Sequence, residues 1–488
     1  MNPAMRRTGV IALVLLGALI VQVTWVGFFE HDDYDILSNT RTTIAEYEVP
    51  RGDIVAGDTV LATSVETEPG STYDYQRQYP AGEAFANLTG YKSRIYGTGA
   101  GGIEAVENEV LNGTSSLLFL DDFWASASGE PKPGGDVHLT IDPELQQAAY
   151  DAIAETGSQG AAVVVDPQTG QVLAQVSYPG WDPTEVSSND GVVAEEAKNA
   201  LDGDEDNPAL DRALRDFYPP GSTFKTIVAA AFIENGGDAE SMVPAGNGYT
   251  APDTDHEITN ADDQCPEDEL TLKEAFKRSC NTTFAQLCVE ELDDDDIREM
   301  AEAFGFGEEY STTAQSVASE TGDLSAEAFR AQACIGQQEV RETVMQNALI
   351  AAAIANDGER MAPQVIAEIT NSAGEPVQRG DEDSLGDAVS SSTAEELREI
   401  MEAVVDGGTG SGAEIDGLTV GGKTGTAEHS TEADGDEANH GWFHGWAMGD
   451  DEDDSVAVCV FLDSYGDGGS SKAAEISGDL MEQALSGE

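Results

Sequence analysis

Ser222-Thr223-Phe224-Lys225 is the one S-x-x-K in the 488 residues, and it constrains the chain more than any other feature. Pro219-Pro220-Gly221 turns the backbone just before it. An apolar helical run follows, carrying Phe224, Ile227, Val228, Ala229, Ala230, Ala231, Phe232 and Ile233. Lysines are scarce, at 8 against 15 arginines, so this spacing stands out from the background. Residues three apart share a helix face, which lets the Lys225 amine reach the Ser222 hydroxyl. Burial beside an apolar run disfavours the ammonium and lowers its pKa. A neutral amine can then accept the serine proton and leave Ser222 a nucleophile.

Two further motifs follow in order. Ser279-Cys280-Asn281 is an S-x-N, 57 residues after Ser222, inside a run from Leu272 to Leu287 that reads as helix. Lys423-Thr424-Gly425-Thr426 is the one K-[ST]-G, another 144 residues on, in a strand-like run from Leu418 to Ala427. Ser187-Ser188-Asn189 also matches S-x-N, but it precedes the S-x-x-K in a polar loop and reads as a chance match. Each motif alone is a weak signal. Their order and contexts together make a strong one.

The N-terminus places Arg6 and Arg7 before 22 mostly apolar residues, Thr8 to Phe29, with Glu30, Asp32 and Asp33 beyond. About 20 apolar residues span a bilayer. The charge asymmetry predicts residues 1–7 in the cytoplasm, residues 8–29 as a single-pass anchor, and the rest outside. A cleaved signal peptide would have a shorter apolar core, and Trp25, Phe28 and Phe29 suit a membrane interface.

The formal net charge is −70, from 93 acids and 23 bases. Phosphate would be repelled, which argues against a nucleic-acid partner. The acids are scattered, and hydrophobic residues make up 40% of the chain, enough for real cores. The charge reads as a surface adapted to high salt, with an alkaline habitat or divalent cations at the wall as alternatives. The five cysteines are Cys265, Cys280, Cys288, Cys334 and Cys459. An odd count leaves at least one unpaired within the chain. Two arrangements stay open: a bridge between Cys265 and Cys280, or five buried free thiols. His440 and His444 are the closest histidine pair and read as strand residues, so no metal site is expected.

Residues 30–150 are short and irregular and read as a small N-terminal α+β domain; residues 151–488 read as the larger unit. In the latter, Ala161–Asp166 and Val172–Ser177 flank Pro167-Gln168-Thr169-Gly170 as a hairpin. A helical middle runs from Ser222 to about Asn356. Leu418–Ala427, Trp442–Met448 and Ser455–Leu462 read as three strands, and Ala473–Leu485 as a closing helix. These predict one five-stranded antiparallel sheet flanked by helices, with a helical lobe beside it and the three motifs where lobe and sheet meet.

The chain resembles the class B penicillin-binding proteins, most closely the actinobacterial penicillin-binding protein A group. Tyr218-Pro219-Pro220-Gly221-Ser222-Thr223-Phe224-Lys225, Lys277-Arg278-Ser279-Cys280-Asn281-Thr282 and Lys423-Thr424-Gly425-Thr426-Ala427-Glu428-His429 are similar to that family's three motifs. Ile335-Gly336-Gln337 matches its I-G-Q. Pro50-Arg51-Gly52-Asp53-Ile54, Gly101-Gly102-Ile103-Glu104 and Leu111-Asn112-Gly113 resemble boxes of its non-catalytic domain. An N-terminal domain of this size leaves little room for a glycosyltransferase module. The resemblance implies the serine transpeptidase fold with a pedestal or dimerisation-like N-terminal domain. It implies a membrane-anchored peptidoglycan D,D-transpeptidase inhibited by β-lactams, working beside a membrane glycan polymerase and needing no cofactor. Ser222 would attack, Lys225 would act as base, and Ser279 would relay a proton. Asn281 would bind the substrate amide, and Lys423, Thr424 and Thr426 of the strand around Gly425 its carboxylate. Backbone N–H groups of Ser222 and Thr426 would form the oxyanion hole. A β-lactamase or carboxypeptidase would need a water-activating group, and none is identifiable in the sequence. A β-lactam sensor would need more than one span and a cytoplasmic effector.

The charge makes a direct prediction. Lowering the salt lengthens electrostatic screening from about 8 Å at 0.15 M to about 30 Å at 0.01 M. The part of the chain from residue 30 should therefore melt at a higher temperature as NaCl rises. A flat or falling midpoint across the series would contradict the high-salt reading.

Overall fold

Strands buried on both faces lose the polar–apolar alternation of a half-exposed sheet and read as continuous apolar runs. Ser455–Leu462 and Gly160–Val165 are buried along their whole length, and they lie side by side near the centre of the main sheet. The structure, a computed structural model, describes residues 46–99, 101–118, 133–427, 439–449 and 454–486. The expected tail and anchor (1–29) and residues 30–45 lie outside the described residues. Among the described residues no helix is long and apolar enough to cross a membrane.

Along the chain come strands β1 (Ile54–Ala56), β2 (Thr59–Glu66), β3 (Tyr75–Gln78) and β4 (Asp136–Leu139). Helix α1 (Pro143–Thr156) leads to the hairpin of β5 (Gly160–Val165) and β6 (Val172–Tyr178). The lobe contributes α2 (Lys225–Glu234), α3 (Leu272–Lys277), α4 (Asn281–Glu290), α5 (Glu327–Ala333) and α6 (Val344–Ala355). Strands β7 (Ile366–Thr370) and β8 (Pro376–Arg379) precede α7 (Ser391–Val405). The chain closes with β9 (Thr419–Ala427), β10 (His440–Met448), β11 (Ser455–Leu462) and α8 (Gly469–Ser486).

The main sheet has the order β9-β10-β11-β5-β6, antiparallel throughout. This is the expected five-stranded sheet. Helices α1 and α8 pack together against it, while α6 and α7 pack against it from the lobe side. Two large apolar cores stand out among the described residues: one under α1 and α8 that continues into the N-terminal region, the other inside the lobe around Phe224, Phe276 and Phe284.

Two elements depart from expectation. The helix expected over Leu272–Leu287 is two helices, α3 and α4, broken at Ser279. The N-terminal sheet is not made from N-terminal residues alone. Its order is β8-β7-β4-β1-β2-β3, so the strand at 366–370 pairs with the strand at 136–139. In that region Glu104 accepts from Arg51 Nε and Arg77 Nε at 2.6 Å each and from the Tyr79 hydroxyl at 3.1 Å. Burial alone would raise the Glu104 carboxyl, but the two guanidinium groups hold it below its ordinary value. Arg51 and Glu104, each from one of the N-terminal boxes, thus meet Arg77 of β3 in one buried ion cluster.

Candidate active site

The loop-to-helix junction sits at Ser222. Gly221–Phe224 form one 3₁₀ turn, and Lys225 opens α2. The loop before it is held from three sides. Tyr218 exchanges backbone hydrogen bonds with Glu342, Trp442 Nε1 donates to the Pro219 carbonyl at 3.1 Å, and Gly221 N–H donates to the Gly336 carbonyl at 3.0 Å. Gly336 has φ +73°, and a Cβ there would lie 1.8 Å from the Gly221 carbonyl oxygen. The I-G-Q segment therefore needs glycine because another backbone passes against it.

Ser279 explains the broken helix. Its φ is +60°. Its N–H donates to the Phe276 carbonyl and the Cys280 N–H to the Ala275 carbonyl. This bond pair is the Schellman ending of a helix, in which the left-handed position is usually glycine. A serine there costs roughly 1–2 kcal/mol of backbone strain, and it turns a hydroxyl into the site. The next residue is tied down, because Cys280 is disulfide-bonded to Cys265 with Cα atoms 6.1 Å apart. The arrangement with five free thiols is thereby overturned. A second disulfide, Cys288–Cys334, was not foreseen; it joins α4 to the end of α5, just before Ile335-Gly336-Gln337. Cys459 is free and buried.

Both motif lysines are fully buried, each 0% exposed. Lys225 Nζ donates to the Ser279 carbonyl (2.8 Å), to Ser279 Oγ (3.2 Å) and to Asn281 Oδ1 (2.7 Å). The expected direct bond from Lys225 to the Ser222 hydroxyl is not formed; the amine is turned toward the S-x-N instead. Lys423 Nζ reaches the same Ser279 Oγ at 3.0 Å and the Thr424 carbonyl at 2.9 Å. Among the described residues no carboxylate pairs with either lysine. Burial, with the neighbouring Lys423 adding to it, holds Lys225 well below its ordinary value. Burial lowers Lys423 to about 7.

Strand β9 brings the last motif alongside. A Cβ at Gly221 would lie 3.1 Å from Thr426 N and 2.4 Å from Thr426 O, so the two backbones touch. Gly425 is packed behind, against the Pro220 carbonyl. Thr424 Oγ1 is bonded to Thr409 Oγ1 at 2.6 Å, and Thr426 Oγ1 donates to Ser470 Oγ at 3.3 Å. Ser222, Ser279, Asn281, Thr424 and Thr426 line one cleft of about 620 Å³, with Lys225, Lys423 and Gly425 beneath its floor. The structure thus brings all eight residues of the three motifs together. Sequence reasoning missed one wall, where Gly248–Thr250 pairs with Glu257–Thr259 as a small hairpin. Asn281 Nδ2 donates to Thr259 O at 2.9 Å, and His256 and Glu257 line the cleft. This stretch falls within the run from Ser222 to about Asn356 that reads as helical, and short strands between Met242 and Thr271 interrupt that run.

Ser187-Ser188-Asn189 lies elsewhere: Asn189 Nδ2 donates to the Tyr75 carbonyl on β3. His440 and His444 are both buried in β10. Among the described residues no cluster of His, Cys, Asp or Glu is placed to hold a metal ion.

A serine at a 3₁₀ turn, two buried lysines sharing a second serine, and a K-T-G edge strand define an acyl-transfer site of the penicillin-interacting serine type. The chain belongs to the penicillin-binding protein transpeptidase family, in its class B branch and close to the mycobacterial penicillin-binding proteins A. Residues 160–482 match the family described as penicillin binding protein transpeptidase domain, and residues 51–137 match the penicillin binding protein A dimerisation domain. The peptidoglycan D,D-transpeptidase PbpA of Mycolicibacterium smegmatis is 35% identical over 96% of this chain and 95% of its own length. PbpA of Mycobacterium tuberculosis is 34% identical over the full length of both. The M. tuberculosis penicillin-binding protein A in its ceftriaxone acyl-enzyme complex superposes with a TM-score of 0.84 at 33% identity, covering 91% of this chain and all of that one.

The Lys423 titration has a measurable sign. Between about pH 7 and its unfolded value of 10.5, the unfolded chain keeps a proton that the folded chain has released. Stability therefore rises with pH in that window, by up to about 1.4 kcal/mol per pH unit. Lys423→Met removes the buried ammonium, so its stabilisation over wild type should be largest below pH 7 and shrink toward pH 10. A difference that stays constant from pH 6 to pH 10 would contradict this assignment.

Proposed function

We propose that this chain cross-links peptidoglycan as a serine-type D,D-transpeptidase, with Ser222 the residue acylated by stem peptides and by β-lactams. The observation that carries the reading is the Ser279 hydroxyl held between two buried lysines, at 3.2 and 3.0 Å, on the floor of the cleft that Ser222 lines.

The geometry supports the following course. Ser222 Oγ attacks the carbonyl carbon of the penultimate D-alanine. Lys225, whose ammonium form burial disfavours, accepts the hydroxyl proton, directly once substrate draws the two groups together or through Ser279. Backbone N–H groups of Ser222 and Thr426 face the developing oxyanion; one such donor is worth about 3–4 kcal/mol. The amide bond breaks, and Ser279 hands a proton to the departing D-alanine amine with Lys423 or Lys225 behind it. An acceptor amine then attacks the ester and regenerates Ser222. Asn281, fixed between Lys225 and Thr259, holds the substrate amide. Thr424, Thr426 and Lys423 receive the terminal carboxylate, and that anion raises the Lys423 pKa as it binds.

Among the described residues that line the cleft the one carboxylate is Glu257, exposed on the hairpin. Around this core we place residues 1–7 in the cytoplasm, 8–29 in the membrane, 30–150 as a non-catalytic pedestal or dimerisation domain, and 151–488 as the transpeptidase domain outside the cell. A membrane glycan polymerase supplying strands is the partner this placement calls for. The acidic surface is read as an adaptation to high salt.

Fluorescent penicillin tests the site. Ser222→Ala should abolish labelling, and mass spectrometry of the wild type should find the adduct on the Ser222 peptide. Lys225→Arg should lower acylation by at least about a hundredfold, because a guanidinium cannot take a proton. Lys423→Arg, which keeps the charge, should lose less. An adduct elsewhere overturns the assignment of Ser222, and equal acylation in the two arginine variants overturns the division between the lysines.

A further inference from the structure

Behind the S-x-x-K turn lies a buried polar network. His444 on β10 is 0% exposed and stands opposite Lys423 in the β9–β10 register. Its Nδ1 lies 3.3 Å from the Asn347 carbonyl and its Nε2 lies 3.0 Å from Thr226 Oγ1. A carbonyl can only accept, so Nδ1 carries the proton and Nε2 accepts from the Thr226 hydroxyl. Asn347, on α6, then extends the network. Its Nδ2 donates to Thr223 Oγ1 at 3.1 Å, and Thr223 Oγ1 donates to the Pro220 carbonyl at 3.0 Å.

The two threonines are the neighbours of the two reacting groups. Thr223 follows Ser222 and Thr226 follows Lys225. All four members, Thr223, Thr226, Asn347 and His444, are buried to 1% exposure or less. One imidazole therefore ties the turn carrying Ser222 and Lys225 to the strand paired with the K-T-G edge and to α6. Buried side-chain polar groups that are not needed for packing are costly unless bonded. A valine or leucine would fill this strand position without the polar network.

Resting on the reading of Ser222 as the acylated residue, we infer that His444 is a positioning residue for acyl transfer: its neutral imidazole fixes the S-x-x-K turn against the K-T-G strand through Thr226 and Asn347. Burial, partly opposed by the bond to the Asn347 carbonyl and aided by the nearby Lys423, lowers the imidazole to about 3. A protonated ring would place a second N–H against the Thr226 hydroxyl and a charge beside Lys423. The role is geometric. His444 does not line the cleft. A misplacement of about 1 Å in a reacting group costs on the order of a hundredfold in rate, so small slack in this turn would be read in acylation.

The test separates rate from folding. The full chain in detergent is mixed rapidly with a fluorescent penicillin over a concentration series. The fit gives a noncovalent binding constant and an acylation rate constant, k2, for the fraction that labels at long times. His444→Phe should lower k2 on the order of tenfold to a hundredfold, with the binding constant little changed. His444→Gln, whose side-chain oxygen can accept from Thr226, should recover most of the loss. Thr226→Val should lose k2 like His444→Phe, and the double variant should lose no more than either single, as expected for groups acting as one unit. If His444→Phe fails to label at all, Thr226→Val alone decides by the same measure. Normalised k2 within threefold of wild type, equal loss in the Phe and Gln variants, or additive losses in the double variant would overturn the inference. Failure of the Ser222 reading would look different, since the wild type itself would carry its adduct elsewhere.

Discussion

Lys225 and Lys423 are buried within reach of one hydroxyl and, among the described residues, of no carboxylate, in a chain with 93 acidic residues. Buried charges in proteins are ordinarily paired. The missing counter-ion is what makes these amines chemically available. For Lys423 the fall from 10.5 to about 7 amounts to about 5 kcal/mol against the ammonium form. An acid placed beside either lysine would relieve that cost and return the amine to a structural cation. The dense negative surface has to be kept out of the site, and the lobe and sheet do so by closing apolar side chains, among them Phe276 and Phe284, over the two amines.

The rest of the catalytic region holds these groups in register. Ser279 needs a left-handed backbone, which α3 supplies by its Schellman ending and the Cys265–Cys280 bridge secures on the adjoining residue. The turn carrying Ser222 needs a stop, which Gly336, Trp442 and the Tyr218–Glu342 pair provide. Tyr218 itself stacks on Phe461 at 4.1 Å between ring centroids. The second bridge, Cys288–Cys334, joins the helix that begins at Asn281 to the segment that ends at Gly336. The helix carrying Asn281 and the segment that stops the S-x-x-K turn are thus covalently tied to one another.

Much of this was legible in the residues. The three motifs named eight residues that the fold brings together at the cleft, though not its hairpin wall, and the apolar runs gave the main sheet and its closing helix. What stayed hidden had physical causes. The break at Ser279 carried no glycine to mark a helix end, so an apolar run on both sides of it read as one helix. The second bridge could not be inferred because cysteine spacing does not fix connectivity. The pairing of β4 with β7 joins segments far apart in sequence, and a strand's own pattern fixes which face is buried without naming its partner. The hydrogen-bond target of Lys225 depends on where Ser279 and Asn281 fold back, which spacing along the chain does not encode. His444 looked like an ordinary strand residue because its partners, Thr226 and Asn347, come from elsewhere in the sequence.

The lowered pKa values of the buried amines can be measured directly. With just 8 lysines in the chain, ¹³C labelling at lysine Cε gives a spectrum in which each amine can be followed by NMR through a pH titration, with Lys225 and Lys423 assigned by substitution to arginine. The account predicts that two resonances leave the group: Lys423 with a midpoint near its value of about 7, and Lys225 titrating well below 10.5. If both titrate with the surface lysines near 10.5, the amines are ordinary cations and the proposed base chemistry at Ser222 is wrong.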